Sequence, residues 1–199
     1  MSRSTIIVLV ALGATFAGFV FASNGRLRAG ESDIAATVAA GPQTALLHWR
    51  ETYGDPGEQL VFTVRSLAVT DSGWNARIGV DNRTKVGWEL APGATPEGSL
   101  GLQLFETGSQ DELDRRNREG TLPAARAATR YVPDLPHVIE PGESWAGTIS
   151  AEGPLVAGSW ARVVFGTLMA IGKPPKGFGE RLVWITDHAY PLHLGEPSS

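Results

Sequence analysis

The chain has 199 residues, 42% hydrophobic and 19% charged, with 24 Gly, 13 Pro, no Cys and a formal net charge of -4. Glycine without a triplet period excludes collagen, and 8% aromatic residues at ordinary hydrophobicity argue against wholesale disorder. The near-balance of charge speaks against a nucleic-acid partner, and the lack of Cys removes disulfides, thiolate nucleophiles and Cys-ligated zinc.

Between Arg3 and Arg26, residues 5–23 carry no charge and no strong helix breaker. As a helix this run reaches roughly 28 Å, close to the ~30 Å hydrocarbon thickness of a bilayer. It is apolar on all sides rather than amphipathic, which distinguishes it from a core helix. Residues 1–23 therefore read as a signal anchor or a signal peptide; Val20 and Ala22 supply small side chains before a cut near Ser23. Arg26 and Arg28 offset Arg3 in the positive-inside count, so orientation rests on the common layout of an apolar N-terminus followed by a globular domain. The expected location is the cell membrane, single-pass with the C-terminal domain exported and the membrane engaged through the N-terminal helix. Secretion after cleavage is the alternative.

Residues 24–57 are mixed in character and read as a tether with a possible first edge strand at 45–49. From residue 58 to 194 the pattern is that of one β-domain, followed by a short tail at 195–199. Trp74, Ala76, Ile78 and Val80 alternate with Asn75, Arg77, Gly79 and Asp81, the period of a half-buried strand. Its neighbour at 60–69 starts with apolar residues at even positions and finishes with Leu67 and Val69, a phase change near Ser66 that predicts a β-bulge. Asp71-Ser72-Gly73 supplies the turn between them, so the two should form a hairpin. Further strands are expected at 86–90, 100–105, 145–149, 160–168 and 182–186. Short strands punctuated by Gly and Pro clusters indicate an all-β antiparallel sandwich or barrel, and no alternation with long helices suggests a parallel sheet.

One helical signal interrupts the strands. Ser109-Gln110-Asp111-Glu112 has the form of a capping box, and the polar stretch up to Gly120 predicts a short surface helix in a connection between sheets.

Asp81-Asn82-Arg83-Thr84 closes one alternating strand, Pro141-Gly142-Glu143-Ser144-Trp145 opens another, and Ala157-Gly158-Ser159-Trp160 leads into a third. These turns resemble those of bacterial extracytoplasmic immunoglobulin-like domains over roughly residues 58–190. The resemblance implies an immunoglobulin-like β-sandwich with a role in adhesion or assembly. The chain departs from antibody-type domains in having no Cys pair and in carrying the helical insertion.

Catalytic and metal constellations are sparse. His188 and His193 would fall on opposite faces of a regular strand, and Asp187 and His188 are adjacent strand residues that point apart. Glu140 and Glu143 flank a turn in which carboxylates are solvated. No G-x-S-x-G or H-E-x-x-H is present, and the reading assigns no catalytic residue, cofactor or metal. The loop at 171–180 stands apart: two prolines stiffen it, Lys173 and Lys176 charge it, and Phe178 lies between glycines with little obvious to pack against. Lys173, Lys176 and Phe178 are the candidate partner contact. The expected function is a non-catalytic binding or assembly module of the cell envelope, with an envelope protein as possible partner. The alternatives are a proteinase-inhibitor-like module presenting that loop, or a hydrolase with its site at the sandwich rim.

Overall fold

A computed structural model of the chain describes residues 38–91 and 98–194; the expected anchor at 1–23 and the tail at 195–199 lie outside the described residues. Two antiparallel sheets pack face to face. The first holds five strands in the order β1 (Gln43–Tyr53), β2 (Leu60–Thr70), β3 (Gly73–Asn82), β9 (Ser144–Glu152) and β7 (Arg130–Val132). The second is built on the long strand β10 (Trp160–Ala170). Along one edge of β10 run β5 (Gly101–Phe105) and β4 (Trp88–Leu90), themselves extended by β6 (Arg126–Ala127) and β8 (Val138–Ile139). Along the other run β11 (Arg181–Ile185) and β12 (Tyr190–Pro191).

The period-two pattern sets the core. Trp74, Ala76, Ile78 and Val80 of β3 are buried, and the bulge expected near Ser66 falls between Val64 and Ser66, returning Leu67 and Val69 to the inward face. Phe62 of β2 meets Phe165 of β10 and stacks flat on Trp184 of β11, so one ring of the first sheet is clasped by two of the second. At about 25 cal/mol per Å² of apolar surface, burial of the Phe62 and Phe165 rings contributes strongly to the favourable side of folding.

The strand expected at 45–49 is longer, and its Tyr53 joins the same core. It is an edge strand broken by its own bulge between Leu46 and Trp49, where His48 adopts a left-handed φ of 51°. A bulge twists an exposed edge and interrupts its unpaired hydrogen-bonding groups, which blunts edge-to-edge pairing. The short strands β6, β7, β8 and β12 have no counterpart in the sequence reading, because runs of two or three residues are too short to show a period.

The expected helix forms as α1 (Gln110–Glu119), capped by the Ser109 side chain accepting from the Asp111 amide and ended by Gly120 in the left-handed region. Glu112 does not close a reciprocal box on Ser109; it accepts from the amide and hydroxyl of Thr107 and from Arg116. The helix is amphipathic in a minimal way. Leu113 is fully buried against Phe105, Val164, Val183 and Ile185, which docks α1 on the outer face of the second sheet.

Candidate contact site at the sandwich rim

Where β1 and β11 run along the same open side of the sandwich, inward parity places a charged residue, Glu51, between Trp49 and Tyr53. Only 7% of Glu51 is exposed, yet its carboxylate is fully engaged. It accepts from the Trp184 indole N–H at 3.0 Å, from the His188 amide at 3.2 Å, and pairs with His188 Nδ1 at 2.8 Å. Trp49 stacks on the His188 ring at 5.4 Å between centroids. A buried carboxylate costs several kcal/mol unless hydrogen bonds replace its water, and these do so here.

Beyond His188 the network continues. The Asp187 carboxylate accepts from the Gln110 amide of α1 at 3.2 Å. Partial burial first, and then the charge of Glu51, push the Asp187 carboxyl above its ordinary range, against the opposing pull of Arg162. Arg162 is wholly buried and donates to the carbonyls of Thr186, Asp187, Gly108 and Ser109. It thereby ties the start of α1 to the connection after β11. Its Nε finds no hydrogen-bond partner among the described residues, and its guanidinium lies 5.5 Å over the Phe105 ring. Burial weakens the guanidinium's hold on its proton, while Asp187 and Glu51 strengthen it.

The chemistry available at this rim is an imidazole held through Nδ1 by a buried carboxylate, with 56% of the His188 side chain open to solvent. Such a ring can donate or accept one proton at its free nitrogen. Thr186, the aliphatic hydroxyl nearest in sequence, is engaged between the Val163 amide and the His188 carbonyl. The sequence offers His188 no partner, since Asp187 beside it points away; the structure pairs it with Glu51, 137 residues away. The signal that could have found it is a carboxylate at an inward position of an alternating strand.

The loop at 171–180 does join β10 to β11. Lys173 and Lys176 are exposed, whereas Phe178 is 8% exposed and packs edge-on against Tyr53 at 4.7 Å and tilted against Trp88 at 5.4 Å. The Tyr53 hydroxyl donates to the Gly177 carbonyl, locking the loop to β1, and burial pushes that phenol up. Gly54, at φ 106°, is required here because a Cβ would come within 2.6 Å of the Phe178 ring. Phe178 is thus an internal anchor that holds the two lysines in place, and the surface it offers a partner is small.

The remaining sequence candidates are structural. Asn82 is fully buried, donates to the carbonyls of Val86 and Ile139, and accepts from the amide and hydroxyl of Thr84, whose oxygen receives the Trp88 indole. Glu140 and Glu143 are exposed and bond within their own turn. His193 lies against Tyr190 rather than His188. Among the described residues no group of three His, Cys, Asp or Glu is placed to hold a metal ion. Comparison with protein-family models, with curated proteins and with solved structures finds no match to this chain.

Proposed function

We propose that the chain is an exported β-sandwich of immunoglobulin-like type, tethered to the membrane by residues 5–23 or released after their removal, that acts by contact at the cell envelope. The observation that carries this reading is the uncharged apolar run ahead of a β-domain. Two further features support it. The groups at the rim that could perform chemistry are bonded to one another, with Glu51 accepting three hydrogen bonds. The Asn82 turn and the Pro141-Gly142 turn interlock, since Asn82 and Gly142 exchange bonds with each other's segment, as turns that specify one sandwich rather than a site.

The intact mass of the mature protein, together with membrane fractionation, tests the reading. Retention of residues 1–23 in the membrane fraction selects the anchor, and loss of about the first 22 residues, the cut near Ser23 that small-residue spacing allows, selects secretion. A full-length product that stays in the soluble fraction overturns both. A second reading, a hydrolase at the rim, is favoured by the open His188 ring backed by Glu51. Turnover of any ester or glycoside substrate that His188→Gln abolishes would establish it; contact alone predicts none.

A further inference from the structure

The outer face of the first sheet carries an arrangement that the whole-chain charge conceals. Alternation places Arg50 of β1, Arg65 of β2, Arg77 of β3 and Arg130 of β7 on this face, each exposed. Register spreads three of them over separate rows, and Arg65 stands at the bulge between Val64 and Ser66. Thr44, Ala68, Asn75, Ser150 and Arg130 lie side by side across five strands, and so do Leu46, Ser66, Arg77, Thr148 and Val132; Arg50 aligns with Thr63, Gly79 and Ala146. None of the four arginines makes a salt bridge or side-chain hydrogen bond among the described residues. The acids of the face stand at its ends: Asp81 is held by Arg83 at 2.7 Å, and Glu152 sits opposite Gly73 beside the hairpin turn.

Between the arginines the side chains are short, Thr, Ser, Ala, Asn and Gly, so the guanidinium groups stand above the sheet together with the exposed His48 and two apolar residues. Leu46 is 75% exposed at the β1 edge and Val132 is 52% exposed at the β7 edge. An open groove of about 580 Å³ runs beside Arg130, lined by Thr70, Asn75, Thr148 and Ser150 among others. In a protein of net charge -4, a flat cationic face with an apolar residue at each margin is complementary to a flat anionic one.

We propose that this face docks on an anionic phospholipid surface, with Arg50, Arg65, Arg77 and Arg130 on the headgroup phosphates and Leu46 and Val132 at the boundary with the acyl chains. Guanidinium groups suit phosphate through paired donors, and their stems lie along apolar surface while the head stays polar. The inference rests on the membrane tether proposed above: the 15 chain steps from Ser23 to Val38 reach at most about 54 Å, so a tethered domain is held within reach of its own bilayer. Each basic residue near such a surface strengthens binding by about fivefold at moderate salt, so four acting additively favour docking by roughly 600-fold.

The chain has no cysteine, so a single introduced one takes a fluorophore cleanly. Full-length protein with Thr44→Cys reports from the arginine face, and with Arg118→Cys from the exposed side of α1 on the opposite sheet. Each is mixed with vesicles of phosphatidylcholine, or of phosphatidylcholine with phosphatidylglycerol, carrying a headgroup quencher. The proposal expects quenching at position 44 only with phosphatidylglycerol, its loss in high salt and in a variant with all four arginines changed to Gln, and none at position 118. Equal quenching in both lipids, quenching at 118 instead, or indifference to the four substitutions overturns it. So does a change in the position-44 fluorescence on adding dextran sulfate with no phosphatidylglycerol response, which would assign the face to soluble polyanions. Flotation with pure phosphatidylcholine vesicles reads the tether separately. Failure to float there removes the anchor and leaves the lipid dependence at position 44 to be judged on its own.

Discussion

The rim and the outer face of the first sheet hold comparable numbers of charged groups and use them in opposite ways. At the rim, Glu51, Asp187, His188 and Arg162 are each held by hydrogen bonds within the protein, and Arg162 alone reaches four carbonyls from a fully buried position. On the outer face, Arg50, Arg65, Arg77 and Arg130 have water around them and no internal partner. Charge that has been desolvated must be paired to be tolerated, and once paired it holds elements together. Charge left in water contributes little to stability and remains available to a ligand. The contrast separates residues that specify the fold from residues that can be altered without touching it.

The sharpest way to break the comparison is Arg162→Met. It fills the space but leaves the carbonyls of Thr186, Asp187, Gly108 and Ser109 without donors, and a loss of about 3 to 5 kcal/mol in urea unfolding is expected. Asn82→Ala comes next: a fully buried amide that serves Val86, Ile139 and Thr84 disappears, at an expected cost of about 2 to 3 kcal/mol by the same measurement. Substitution of Arg50, Arg65, Arg77 and Arg130 singly by Gln should change stability by no more than about 0.5 kcal/mol each. A larger loss at any of them would show an internal role that the exposed position denies.

The smallest effect concerns pH. The folded protein holds the Asp187 proton more tightly than the unfolded chain does, because burial and Glu51 raise that carboxyl. The folded state therefore binds more protons, and this group's contribution turns unfavourable as pH rises through the range above the ordinary carboxylate value. Asp187→Asn should melt slightly higher than the parent at neutral pH, and the difference should vanish below about pH 3, where both forms are protonated. A stabilisation that persists in acid would place its cause elsewhere.

Much of the fold was legible because its main strands obey simple parity. The alternation at Trp74 through Val80, the bulge near Ser66 and the Ser109 cap are local signals with local causes. The partners of Glu51, Phe178 and Arg162 were not legible, because each depends on which strands become neighbours, and that is decided by long-range pairing. In the sequence Phe178 stands between Gly177 and Gly179 with no local partner, and only the approach of Tyr53 and Trp88 buries it. The arginine face was hidden for a different reason. A net charge of -4 averages over surfaces, and four arginines spread over four strands show no run along the chain.

The most direct test is mass-resolved modification of arginine by phenylglyoxal in the native full-length chain, with and without phosphatidylglycerol vesicles. The account predicts rapid labelling of Arg50, Arg65, Arg77 and Arg130, protection of those four by the vesicles, and an unmodified Arg162 until the domain unfolds. Labelling of Arg162 in step with the others, or sluggish labelling of the four in free solution, would contradict it.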